Sequence, residues 1–149
     1  MTPNLFMSNL EDLITDSKTA VLSTVDAENQ PHSRWMTPVV IKDRPGTIYA
    51  VTSPEFRKAH HLEKNPNVHW LFQTLLLDRI ASVTGKINII EASTLKSEVL
   101  EAIGPRLTVF WSLNDDSSKL VVLETVIREA VWFMPMRGIR ETIVFGNGE

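Results

Sequence analysis

The residue types able to do chemistry gather in two short segments. The first is Thr52-Ser53-Pro54-Glu55-Phe56-Arg57-Lys58. A β-rich run ends at Thr52, Ser53 suits a helix cap, and Pro54 suits the first helical position. Arg57 and Lys58 then fall in the first turns of a helix, whose free N–H groups and positive dipole end favour anions, phosphate above all. The Arg57 fork can grip two phosphate oxygens, and Lys58 adds a point charge. On composition alone the same pair reads as a solvated helix surface. The second segment is His32-Ser33-Arg34-Trp35-Met36-Thr37-Pro38-Val39. Strand alternation puts Arg34, Met36 and Pro38 on one face, with Trp35, Thr37 and Val39 on the other. A cation among such residues needs a partner, which a carboxylate of the chain or a bound anion could supply.

Other chemistries find less support. The chain has no cysteine, so disulfides, thiolate metal sites and a cysteine nucleophile are excluded. His60 and His61 are adjacent and point about 100° apart on a helix, so they are not an i, i+4 metal pair. A site that adds His69 has no carboxylate pattern beside it. The sequence holds no nucleophile elbow, Walker loop or dinucleotide-binding glycine pattern. Trp35, Trp70, Trp111 and Trp132 read as core or interface residues. Leu75-Leu76-Leu77 is an unusually apolar turn, which burial in a subunit interface would explain.

The elements that must position these residues are mostly strands. Residues 1–149 are expected to form one domain, and a 43% apolar, 22% charged composition excludes a disordered chain. A net charge of −3 and a pI near 5.8 disfavour nucleic-acid binding. No apolar run approaches the roughly 20 residues of a membrane span, and the N-terminus lacks a secretory signal. A cytoplasmic location is expected, without a membrane partner.

Helical periodicity covers Thr2 to about Asp16, followed by strands at Ala20–Val25, His32–Ile41 and Thr47–Thr52. The polar five-residue turns between these strands predict an antiparallel meander. A short helix is expected from Ser53 to Asn65-Pro66, then strands at Asn67–Phe72 and Arg79–Ile90. Ser93 is expected to cap a helix ending at Gly104-Pro105. An irregular stretch with Phe110 and Trp111 leads to strands at Leu120–Val126, Val131–Met134 and Thr142–Phe145. The fold class expected is mainly β: an antiparallel barrel of six or seven strands with short capping helices.

Three stretches carry a family resemblance: AVLSTVDAENQPHSRWMTPV, GTIYAVTSPEFRKAHHLEKNPNVHWLF and DRIASVTGKINII. Together they cover about half the chain, and they resemble the pyridoxamine 5′-phosphate oxidase-like family of FMN-binding split β-barrels, its short general-stress-protein members above all. The resemblance implies a non-covalent FMN lined by Arg34, Trp35, Met36 and Thr37, touched by the strand end Val51 and Thr52 with Ser53. Arg57 and Lys58 would hold its phosphate, which reverses the solvated-surface reading of that pair. It further implies a homodimer with FMN between subunits and a flavin-dependent oxidoreductase activity. Trp111 is a further residue that could lie over the flavin ring.

Departures from the family pattern accompany the matches. Ile80 follows Arg79 where the family has a phosphate-contacting glutamine. Val39 or Val40 stands where the vitamin B6 oxidases use a lysine, the only tyrosine is Tyr49 in a strand, and no histidine accompanies Arg137 or Arg140. The residues that handle a B6 substrate are therefore missing. Alternatives are a flavin store or sensor without turnover, a barrel for a deazaflavin or haem, and a barrel dimer without cofactor. The substrate, the reductant and any catalytic residue stay unassigned.

Overall fold

A computed structural model describes residues 1–53, 55, 62, 64–104 and 119–146. Helix α1 (Pro3–Ser17) starts where Thr2 Oγ1 accepts the Leu5 N–H at 3.1 Å and Pro3 takes the first turn. Phe6, Leu10, Leu13 and Ile14 recur at helical spacing and are buried, so packing as well as capping holds the helix. It stops at Lys18, which turns left-handed at φ 64°.

Seven strands follow: β1 (Ala20–Val25), β2 (Pro31–Met36), β3 (Thr47–Thr52), β4 (Asn67–Gln73), β5 (Ile80–Ile90), β6 (Val121–Met134) and β7 (Ile139–Val144). Helix α2 (Ser93–Ile103) lies between β5 and β6. All ladders are antiparallel, in the order β2-β1-β4-β5-β6-β3, with β7 also on β6. Val39 bridges to Tyr49 of β3 through N–H···O bonds of 2.8 and 2.9 Å. Because residues following β2 thus meet β3, the strand order closes into a ring.

This architecture corrects the expected three-strand meander. β1 pairs with β2 and β4, whereas β3 pairs with β6. The expected strand from His32 to Ile41 ends at Met36, and only the Val39 bridge resumes pairing. Local turn length signalled the reversal of direction and could not reveal that β6, 70 residues on, offers β3 a full ladder. Two expected segments at 120–134 are one 14-residue strand. Ser93 is the first helical residue of α2 rather than its cap, which is Ala92 and gives no side-chain bond. The expected helix over 53–66 and the stretch with Phe110 and Trp111 fall largely outside the described residues.

On the side away from β5, β6 spans two partners. Val121–Val126 pairs with β3, and Glu129–Met134 pairs with β7. Between these halves its ladder with β5 shifts at Thr84/Gly85, leaving Arg128 as the extra residue. A side-chain carbon on Gly85 would sit 2.3 Å from the Val126 carbonyl oxygen, so only glycine fits this crossing.

The core has two parts. Inside the ring, Leu22, Ile48, Trp70, Phe72, Val83 and Leu123 pack with the buried stripe of α1. Phe6 meets Trp132 and Phe145 edge-on, at 6.3 and 5.9 Å between ring centres. The Trp70 indole donates to Thr125 Oγ1 at 2.9 Å, so both buried polar groups are satisfied. Outside the ring, Leu95, Val99 and Ile103 of α2 cover Tyr49, Val51 and Val122. β3 is therefore buried on both faces.

Two substitutions test these constraints. Gly85→Ala is expected to cost at least about 2 kcal/mol through overpacking at the crossing, read from the urea midpoint; an unchanged midpoint would show that the crossing relaxes. Leu77 adopts a left-handed φ of 61° in the β4–β5 turn, so Leu77→Gly is expected to stabilise the fold by about 1 kcal/mol. A lower melting temperature for that variant would contradict the strain.

Candidate functional site

The most constrained polar side chain of the predicted site is Arg34. It stands opposite Leu22 of β1, and its guanidinium donates to Leu22 O at 3.1 Å and Thr24 Oγ1 at 2.9 Å. The shared face is that of buried Leu22 and Thr24, so Arg34 lies over the inner side of the sheet. Burial lowers the pKa of Arg34 from its ordinary value, the electrostatic cost of drawing a cation partly out of water. The expected alternation holds through Met36, which packs against the inner core while Trp35 points outward, 69% exposed.

The β1–β2 turn fixes this strand. Asp26 Oδ1 accepts the N–H groups of Glu28 and Gln30 at 2.8 and 2.9 Å, and Oδ2 meets His32 Nε2 at 2.8 Å. The Asp26 carbonyl takes the Asn65 side-chain amide at 2.8 Å. His32 chiefly, then the Gln30 amide, holds the Asp26 carboxyl below its usual range. This turn thus joins the strand bearing Arg34 to the residue just before Pro66 and β4.

The other predicted residues divide by what they can offer. After Met36 the ladder lapses, and Thr37 is buried there before pairing resumes at Val39. Val51 packs beneath α2 at 4% exposure, so it offers a ligand its main chain and not its side chain. Thr52 is half-buried at the end of β3, and Ser53 Oγ accepts the Glu55 N–H at 3.2 Å. Arg57, Lys58 and Trp111 lie outside the described residues.

The departures from the family pattern have clear surroundings. Val39 is buried beneath α2, and Val40 packs on the inner core. The Tyr49 hydroxyl donates to Glu124 Oε2 at 2.8 Å; burial first, with the carboxylate adding to it, raises its pKa and keeps it a neutral donor. Arg79 is ion-paired with Asp16. Ile80 opens β5 between Gln73 and Phe133. Arg140 stacks over the Phe133 ring at 5.8 Å.

Sequence reasoning missed the tie from Asn65 to Asp26, since the two lie 39 positions apart. Among the described residues no group of three His, Asp or Glu could hold a metal. Grooves of about 220, 290 and 270 Å³ flank α1, and those three are lined by none of the predicted site residues. Among the described residues no helix is long and apolar enough to cross a membrane.

A closed antiparallel ring with one strand shared between two partners defines the class of split β-barrels. A protein related to general stress protein 26, from Clostridium acetobutylicum, has the same fold, with a TM-score of 0.71 over 95% of both chains at 15% identity. The pyridoxamine 5′-phosphate oxidase family profile matches residues 6–130. General stress protein 26 of Bacillus subtilis is 35% identical over 116 residues, 76% of this chain and 77% of that one. The chain belongs to the pyridoxamine 5′-phosphate oxidase family. A pyridoxine/pyridoxamine 5′-phosphate oxidase of Aeromonas hydrophila is 40% identical over 79 residues, 52% of this chain. The match spans only about a third (36%) of that oxidase's own length.

The Asp26 carboxylate supplies a pH test. A carboxyl held below its ordinary value gives stability that is present above the unfolded-state pKa and lost as pH falls through the folded one. Unfolding experiments below about pH 4 are therefore expected to show wild-type stability falling more steeply than that of Asp26→Asn. Parallel pH profiles would remove Asp26 as the turn's acid-sensitive anchor.

Proposed function

We propose that residues 1–149 form a single FMN-binding domain that works as a homodimeric flavin-dependent oxidoreductase. The carrying observation is Arg34, a half-buried cation pinned to Leu22 and Thr24 on the inner side of the sheet, in a chain that belongs to the pyridoxamine 5′-phosphate oxidase family. The surroundings fit the cofactor. A desolvated guanidinium suits an anionic or carbonyl-rich ligand. In this reading the lapse of the ladder at Thr37 and the strand end at Val51 to Ser53 offer main-chain groups to the same ligand.

In this reading Arg57 and Lys58 hold the FMN phosphate. Arg34 supplies a second positive charge near the phosphate or the ring. Trp35, Met36 and Thr37 border the isoalloxazine, with Val51 and Thr52 contributing from β3. When bound, FMN supplies hydride or electron transfer, and the chain supplies position and electrostatics. At roughly 0.3 kcal/mol per non-hydrogen atom, about thirty atoms give about 9 kcal/mol, a sub-micromolar dissociation constant.

A vitamin B6 substrate is not part of this proposal. Val39 and Tyr49 are buried in the cluster under α2, and Arg140 is stacked on Phe133. A flavin store or sensor is the variant of this reading in which no turnover follows binding. Reduction of the bound flavin by a nicotinamide cofactor separates the two.

The decisive experiment is titration with FMN, followed by removal of free ligand and a visible spectrum, with haem and a deazaflavin as competitors. Arg57→Ala with Lys58→Ala is expected to weaken FMN binding at least tenfold, about 1.4 kcal/mol. Unchanged affinity would withdraw the phosphate assignment, and preference for haem or deazaflavin would replace the cofactor.

A further inference from the structure

Beyond α2, no described element packs on the face of the sheet turned away from the ring core. Cross-strand register lines up Trp35, Val21, Leu71, Ser82, Val131 and Thr142 in one row. The neighbouring row is Ser33, Ser23, His69, Thr84 and Glu129. Ser23 and Ser33 satisfy each other at 2.8 Å. At the centre stands His69, half-buried although no described element covers it, and no hydrogen bond or ion pair joins its ring to another described residue. Burial lowers its pKa.

A second copy of this chain is the occupant that this face fits. Its charges are of both signs and lie to the β5–β6 side of His69: Lys86 on β5, diagonal to His69, and on β6 Glu129, one strand further than Thr84, with the exposed bulge residue Arg128 beside it. A two-fold related copy sets such a pair against its opposite. The apolar share is large for a surface left in water, with Trp35 69% exposed and the β4–β5 turn carrying Leu75 and Leu76 at 94% and 82%.

We propose that His69 makes self-association through this face acid-labile; the proposal rests on the homodimer of the preceding section. A neutral imidazole tolerates being covered, whereas an imidazolium loses its hydration and meets the same patch of the other copy. The elements beside His69 offer little to compensate. β1 presents Val21 and Ser23, with Ser33 and Trp35 of β2 beyond them. β5 presents Ser82, Thr84 and the cation Lys86, and β6 presents the cation Arg128 beside Glu129, the one carboxylate of the row. The sign follows from linkage: a histidine whose pKa is lowered on burial favours the buried state above its free pKa and opposes it as pH falls. Each dimer that separates takes up two protons, so its dissociation constant rises up to about a hundredfold per pH unit below the imidazole pKa.

Sedimentation equilibrium at about pH 7.5 and pH 5.2, with circular dichroism to confirm folding at both, tests this. The wild type is expected to dimerise at the higher pH and to lose at least tenfold in affinity at the lower. His69→Gln is expected to dimerise with little pH dependence, and His69→Lys to stay weak at both. A wild type equally tight at both values, or a His69→Gln protein that keeps the whole shift, overturns the role of His69 and leaves the dimer standing. A wild type monomeric at both values overturns the homodimer as well, and FMN titration of that monomer then judges the cofactor assignment separately.

Discussion

Along the edge away from β5, strand β6 answers to two partners, and the close passage of Gly85 past Val126 marks where it changes from one to the other. The separation of 2.3 Å between a would-be side-chain carbon and the Val126 oxygen leaves room for hydrogen alone. The offset there gives Val121–Val126 to β3 and Glu129–Met134 to β7. Without that handover β3 would have no full ladder, since β2 meets its side of the ring only through Val39. The position of Val51 and Thr52 at the end of β3 thus rests on the half of β6 that precedes this crossing.

Burial on both faces of β3 has a second effect. With Ile48 and Ala50 turned to the inner core and Tyr49 and Val51 beneath α2, the strand spends its side chains on packing. What it has left to show a ligand is its main chain and its last residues. The side chain suited to specific polar recognition comes instead from β2, where Arg34 is held by a carbonyl and a hydroxyl of β1. Two such bonds to a neighbouring strand fix the orientation of the guanidinium.

Much of this was legible in the residues. The limits of β1 and β3, the start of α1 and the stop at Gly104 follow from alternation, capping and glycine placement. The unusual position of Arg34 was visible because a cation between a hydroxyl and two large apolar residues violates ordinary strand patterning. What pairs with β3 was not legible, because a ladder between residues 47 and 126 leaves no local trace. Nor was the end of β2 at Met36: the β-rich run continues to Ile41, and tertiary closure interrupts it. The tie from Asn65 to Asp26 escaped for the same reason, being a bond to a main-chain oxygen that any residue could have provided.

The closure between Val39 and Tyr49 consists of one bridge and two N–H···O bonds, beside the seven-residue ladder of β4 with β5. Opening fluctuations follow the cheapest seam in a structure. By hydrogen bonds this closure is far thinner than the β4–β5 ladder, yet Val39 and Tyr49 are both buried beneath α2. Apolar packing by the helix therefore does the sealing that the ladder leaves undone, and a change that loosened α2 would be felt first at this join of the wall.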